Sequence, residues 1–178
     1  MLSTKLAQAL NKQINEEYYS SYLYQAMVAF MMERNLDGCA HWMKMQAAEE
    51  HLHALKIFDY VCDRGGRVEL LEVKAPPESW DTPLAAFTAA LQHEKTMTAN
   101  ISKLADLAQS ERDHATNNLM QWYVTEQVEE EANVDDIVKK LTMVGDSGPG
   151  LFMIDRELKT RPQPAPITGT GTGTGAGA

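Results

Sequence analysis

The sequence predicts an all-α fold, a four-helix bundle with one long crossover and a short fifth helix. Three observations predict it. Four segments of nearly 30 residues place apolar side chains at steps of three and four, the spacing of one helical face. No segment alternates with the period of a strand. The connection between the second and third segments is long, whereas the other connections are short turns.

Ser3 or Thr4 caps a first helix that runs to about Arg34 and breaks at Asn35-Leu36-Asp37-Gly38. A second helix runs from about Cys39 to Arg64 and stops at Gly65-Gly66, where a left-handed residue closes a helix at no steric cost. Residues Arg67 to Asp81, with Pro76-Pro77, lack helical period. Thr82 then caps a third helix with Pro83 at its favoured first position, and this helix continues to about Ser110. Asp113 starts a fourth, ending near Val144 before a Gly-rich turn, and Leu151 to Leu158 forms a short amphipathic fifth. Helices of this length are roughly 40–45 Å long at about 1.5 Å per residue. The 15-residue connection spans that distance when extended at about 3.3 Å per residue. Residues 1–160 therefore form one bundle, and 161–178, rich in Pro and then in Thr-Gly repeats, form a flexible appendage.

Composition narrows the function. A net charge of −9 argues against nucleic acid and anionic membrane surfaces and favours cations. No apolar run reaches the roughly 20 residues of a membrane span, and the amphipathic N-terminus lacks a signal-peptide core. Two cysteines, Cys39 and Cys62, both in helical patterns, read as reduced thiols, and a cytoplasmic location is the expectation.

The informative residues are those that break the apolar stripes. Helix one has Leu6, Leu10, Ile14, Tyr24, Val28 and Met31, interrupted by Glu17 and Ser21. Helix two has Cys39, Met43, Ile57 and Val61, interrupted by Gln46, Glu50 and His53. Helix three has Glu94 among Leu84, Phe87, Leu91, Ile101 and Leu104, and helix four has Gln127 and Glu130 among Tyr123, Val134, Ile137 and Leu141. Each interruption lies near the middle of its helix. Midpoints stay level whichever way the helices run, so these groups fall in one layer. Ionised carboxylates in a core are costly unless they share protons or bind a cation. No Lys or Arg lies on the four stripes, and a pair of dications is the cheapest neutraliser. Carboxylates with one imidazole suit iron or another hard-to-borderline divalent metal, and the absence of thiolate argues against structural zinc.

Glu17-Tyr18-Tyr19-Ser20-Ser21-x-x-Tyr24, Glu49-Glu50-x-x-His53 and Gln121-Trp122-Tyr123-Val124-x-Glu126-Gln127-x-Glu129-Glu130-Glu131, with the ending Ser147-Gly-x-Gly-Leu-x-x-Ile-Asp-x-Glu157-Leu, resemble the bacterial non-haem ferritins over roughly residues 1–160. The resemblance implies a ferritin-like bundle. It implies that Glu17, Glu50 and His53 hold one iron, and that Glu50, Glu94 and Glu130 hold a second, with Glu50 bridging. Gln127 is implied to lie beside the first iron or the oxygen species, and Glu49, Glu126 and Glu129 to form a weaker third site. Tyr24, one heptad after Glu17, is implied to be a hydrogen-bond partner and electron donor. Trp122 reads as packing first and as a slower redox relay second. The activity implied is ferroxidase, with iron(II) oxidised by oxygen or hydrogen peroxide and stored as iron(III) mineral. The assembly implied is a homo-oligomeric shell of twenty-four copies in which the fifth helix makes the fourfold contacts.

Related readings fit less well. A haem-binding relative carries a second Glu-x-x-His on helix four and a methionine after the bridging glutamate. Here those places hold Gln127-Val-Glu-Glu130 and His51, so no haem is expected. A peroxidase with a rubredoxin centre needs Cys-x-x-Cys pairs, and Cys39 and Cys62 cannot supply them. A di-iron protein that detoxifies peroxide or oxygen, and a structural bundle without iron chemistry, remain as alternatives. His51 reads as a surface residue, and His41, His93 and His114 have no evident partner.

Overall fold

The computed structural model describes residues 2–165 and, among them, five α-helices and no strand. Helix α1 spans Thr4–Met32, α2 Asp37–Asp63, α3 Pro83–Ser110, α4 His114–Val144 and α5 Gly148–Leu158. The Thr-Gly repeat of the expected flexible tail lies outside the described residues.

Ser3 and Thr82 cap their helices as expected, and Asp113 caps α4 in the same way. Ser3 Oγ accepts from Leu6 N at 3.2 Å, Thr82 Oγ1 from Ala85 N at 3.0 Å and Asp113 Oδ1 from Thr116 N at 3.0 Å. Three boundaries differ from expectation by two residues or more: α1 ends at Met32 rather than about Arg34, whereas α2 and α5 start earlier than expected. The turn after α1 uses Asn35, at φ +56°, as its left-handed residue, so α2 starts at Asp37 and takes Gly38 into its first turn. Helix α5 starts at Gly148 rather than Leu151, because Ser147 Oγ caps Gly150 N at 3.2 Å and Pro149 sits in the first turn.

Gly38 is required for tertiary reasons. A Cβ at this position would lie 1.6 Å from the carbonyl oxygen of Asp155, so only glycine lets α5 approach α2 this closely. The same contact delivers Asp155 Oδ1 to the amide of Cys39 at 2.9 Å, satisfying one of the free donors at the start of α2.

The crossover runs along α1. Asn11 Nδ2 donates to Arg67 O and Asn11 Oδ1 accepts from Glu69 N, both at 2.9 Å. One turn further on, Asn15 Nδ2 donates to Glu72 O at 3.1 Å, and Trp80 meets Phe30 edge to face at 5.4 Å near the far end of α1. The connection thus covers the bundle's length, and α3 begins beside the end of α1. At the opposite end Arg64 forms a two-pronged ion pair with Asp113, at 3.0 and 2.7 Å, tying α2 to α4.

The core is not continuous. One apolar cluster holds Met27, Phe30, Trp42, Met43, Phe87, Ile137 and the α5 residues Ile154 and Leu158. The other holds Leu10, Ile14, Ile57, Val61, Ile101, Leu104, Met120 and Tyr123. The polar residues that interrupt each stripe lie between them.

Candidate metal centre

Helical periodicity places Glu17, Glu50, Glu94 and Glu130 on inward faces, and all four are at most 4% exposed, as is His53. Ligand atoms of Glu17, Glu50 and His53 lie within 4.8 Å of one another, and so do those of Glu50, Glu94 and Glu130. Glu50 belongs to both groups. A further group of the same compactness joins His53 and Glu130 to the half-buried Glu126.

Amides orient the carboxylates. Gln46 Nε2 donates to Glu50 Oε1 at 2.8 Å and also to Glu130 Oε2, joining α2 to α4. Gln13 Nε2 donates to Glu17 Oε1 at 2.9 Å from one turn earlier on α1. Gln127 Nε2 lies 3.2 Å from the carbonyl oxygen of Glu94 and 3.3 Å from its Oε2. The Tyr24 hydroxyl donates to Glu94 Oε1. Tyr123, on the other side of the layer, donates to the carbonyl oxygen of His53 at 2.8 Å.

Two buried polar atoms in this otherwise well-bonded layer have no partner, His53 Nε2 and Glu130 Oε1. Leaving such atoms unsatisfied costs about 1–3 kcal/mol each, so a layer that leaves them free is suited to something that supplies the missing bonds. A cation bound by carboxylate oxygens and imidazole nitrogen does so.

The electrostatics agree. Burial drives the Glu17 carboxyl up to about 8, with the negative charge of Glu50 adding to the effect. Burial and Glu50 likewise carry Glu94 to about 8, and burial with Glu50, Glu94 and Glu49 raises Glu130 well above the usual range. Glu50 is the exception. Burial pushes it up too, but His53, whose Nδ1 lies 3.6 Å from Oε2, and the amide of Gln46 outweigh that and hold it low. For His53, burial pulls the imidazole down, and Glu50 foremost, then Glu17 and Glu49, carry it up to about 9. Without metal the layer therefore pairs Glu50 with His53, and burial with the charge of Glu50 favours the proton-bearing forms of Glu17, Glu94 and Glu130.

The outer acidic residues separate. Glu126 is half-buried and reaches the His53–Glu130 side of the layer, whereas Glu129 is exposed. Glu49 is bound by Arg161, whose Nη2 lies 2.6 Å from Oε2. Neither Glu49 nor Glu129 falls in one of the compact ligand groups found among the described residues. Arg161 was read as the first residue of the tail and carried no signal of this role. Gln13 was also missed, although its position one turn before Glu17 on the same stripe could have revealed it. Two histidines without evident partners have them: His93 Nε2 lies 2.7 Å from Ser20 Oγ, and His41 Nε2 lies 2.8 Å from the Arg161 carbonyl oxygen. His51 is exposed, as expected. The half-buried Trp122 packs edge-on against Tyr123 at 4.8 Å and His53 at 5.5 Å.

Among the described residues no helix is long and apolar enough to cross a membrane. A family model described as a ferritin-like domain matches residues 7–144. The chain is 40% identical over 161 residues to a bacterial non-heme ferritin of Bacteroides fragilis, covering 90% of this chain and all of that one. It is 37% identical to a bacterial non-heme ferritin of Staphylococcus aureus, covering 90% of this chain and 97% of the other. Among solved structures, an open-pore ferritin from the archaeon Archaeoglobus fulgidus superposes with a TM-score of 0.90 at 48% identity, covering 91% of this chain and all of that one. A form of the same archaeal ferritin engineered to be closed gives 0.91 at 47% identity, covering 92% of this chain and all of that one.

Proposed function

This chain belongs to the ferritin family, and we propose that it stores iron and is a ferroxidase, oxidising iron(II) in the carboxylate layer and passing iron(III) into a mineral held by a shell of its own copies. One observation carries the reading: two compact buried ligand groups share Glu50, while His53 Nε2 and Glu130 Oε1 remain without partners. Glu17, Glu50 and His53 are the proposed ligands of one iron(II), and Glu50, Glu94 and Glu130 those of the other. A carboxylate shared between two ions holds them at a fixed separation, the arrangement that lets paired metals act together on one substrate. The two ions each give one electron to oxygen, which with two protons leaves as hydrogen peroxide. Hydrogen peroxide can itself take two electrons and two protons to become water.

The chain's own residues manage protons and geometry. Iron(II) binding expels the protons that Glu17, Glu94 and Glu130 hold, and these become available to the reduced oxygen. Gln46 and Gln13 fix the orientation of Glu50, Glu130 and Glu17. Tyr24, bonded to Glu94, is the proposed donor of an electron or a proton, and Gln127 is proposed to line the Glu94 side. Glu126 extends the layer outwards, and with Glu49 and Glu129 is proposed to receive a third, more weakly held ion. The proposed location is cytoplasmic, and the proposed assembly has twenty-four subunits.

Anomalous scattering from crystals soaked anaerobically with iron(II) tests the site, and light scattering tests the assembly. Two ions in the layer, and oxidation on admitting oxygen, are expected. Iron confined to the protein surface would overturn the reading.

A further inference from the structure

Among the described residues two basic side chains approach the rim of the carboxylate layer: Lys56, whose Nζ lies 4.4 Å over the Trp122 ring and whose charge acts on Glu126, and Arg161, which comes from beyond α5 and is paired with Glu49. The Arg161 side chain is 17% exposed and that of its partner Glu49 24%, so their 2.6 Å ion pair is largely withdrawn from water. Three further contacts fix the arginine. Its Nη1 lies 3.4 Å from the carbonyl oxygen of Trp42, its guanidinium stacks 4.3 Å above the Trp42 ring, and its own carbonyl oxygen lies 2.8 Å from His41 Nε2. Arg161 lines a groove between α2, α4 and α5 with Trp42, Glu49, Asn133, Lys140 and Glu157. Lys140 is already paired, to Asp136 at 2.8 Å and Glu157 at 2.6 Å. Glu49 therefore has one partner, a fixed guanidinium.

We propose that Arg161 is the resident cation of Glu49, competing with metal for this carboxylate and so controlling how readily an outer ion joins the His53–Glu126–Glu130 group. The proposal rests on the function inferred above. The His53–Glu126–Glu130 group already supplies a half-buried carboxylate and holds the two unpartnered atoms of the layer, His53 Nε2 and Glu130 Oε1. A fourth ligand from Glu49 would strengthen it, but Glu49 is available only when the guanidinium leaves. Displacing it breaks an ion pair largely shielded from water, a hydrogen bond and a cation–π contact together, so the competition favours arginine at low metal concentration. As the free ion concentration rises, mass action favours the metal. The chain segment after α5, and not only the bundle, then sets the affinity of the outer position.

Zinc tests this without redox chemistry. Calorimetric titration of the assembled parent protein is compared with Arg161→Ala, Arg161→Lys and Arg161→Ala with Glu49→Gln. Arg161→Ala is expected to tighten the weakest binding phase by about tenfold. The double variant should return it to the parent's affinity, and Arg161→Lys, which keeps the charge, should also stay near the parent. An unchanged isotherm in Arg161→Ala overturns the proposal. So does a tightening that survives loss of Glu49, or one that is equal in the alanine and lysine variants. The result is a difference between variants, so it is legible whether or not two ions bind in the central layer. Absence of the two tighter phases from every protein would instead refute the central site.

Discussion

Glu50 and His53, one turn apart on α2, form the single ion pair of the buried layer among the described residues, with Nδ1 3.6 Å from Oε2. Every other carboxylate there is pushed towards its neutral form partly by the charge on Glu50. That charge is in turn held by His53. The pair thus keeps one ligand ionised at neutral pH, ready for a first cation, while the remaining ligands ionise as metal arrives.

Glu50→Ala is accordingly expected to be the most damaging single change to iron chemistry. It removes an oxygen donor from both compact groups and leaves His53 without its main partner. Initial oxidation of iron(II), followed by absorbance, should fall at least about a hundredfold, the upper end for loss of a group that merely supports a ligand. A rate near the parent's would exclude Glu50 as a shared ligand.

Gln46→Leu tests orientation rather than ligation. The amide is 1% exposed and joins Glu50 to Glu130 across two helices, so leucine keeps the volume and loses both bonds. Metal affinity should weaken about 10–100-fold, in the range for second partners of metal ligands. Melting of the apo protein should change far less. An apo melting loss as large as the affinity loss would mean that Gln46 is chiefly a structural residue.

Much of this site was legible because one signal recurs. A carboxylate at the centre of each of four apolar stripes is improbable as packing, and midpoint positions survive any choice of helix direction. The fold followed from the same periodicity, with Gly65-Gly66, Thr82-Pro83 and the long 67–81 connection as punctuation. The boundary at Asp37 was not legible, because Gly38 is explained by a contact with Asp155 more than a hundred residues away. Arg161 was missed for the same reason. Composition after α5 reads as solvated chain, and nothing local reports that Trp42 and Glu49 wait on α2. Periodicity finds what faces the core, not what later segments lay over it.

Gly38→Ala provides a test of that distant contact. The added methyl would sit 1.6 Å from a backbone carbonyl oxygen, so α5 must shift away from the start of α2. The shift weakens the bond from Cys39 N to Asp155 Oδ1 and loosens the packing of Ile154 and Leu158. A cost of about 1–3 kcal/mol is typical for overpacking of this kind, read as a lower melting temperature. Unchanged melting would show that α5 docks on α2 more loosely than this contact implies.

Stability should respond to pH in opposite directions with and without metal. Glu17 and Glu94 rise from 4.5 to about 8 on folding, and His53 from 6.5 to about 9. Each then binds more protons in the native than in the unfolded chain between its two values, so native stability falls as pH rises through that window. The stabilising effect of these groups is fully present below about pH 4.5 for the carboxyls and 6.5 for the imidazole, and is lost by about 8 and 9. The apo protein should therefore lose stability steadily from about pH 5 to 9 in denaturant titrations. A bound dication reverses the order, because it needs the deprotonated ligands and competes with their protons. At one fixed zinc concentration the increase in melting temperature should thus be small near pH 5, where protons weaken the apparent Kd, and largest near pH 8. At a hundredfold excess over Kd the gain is about 2.7 kcal/mol. A zinc effect that is flat across this range, or that shrinks as pH rises, would show that the ions do not bind in the layer of Glu17, Glu50, His53, Glu94 and Glu130.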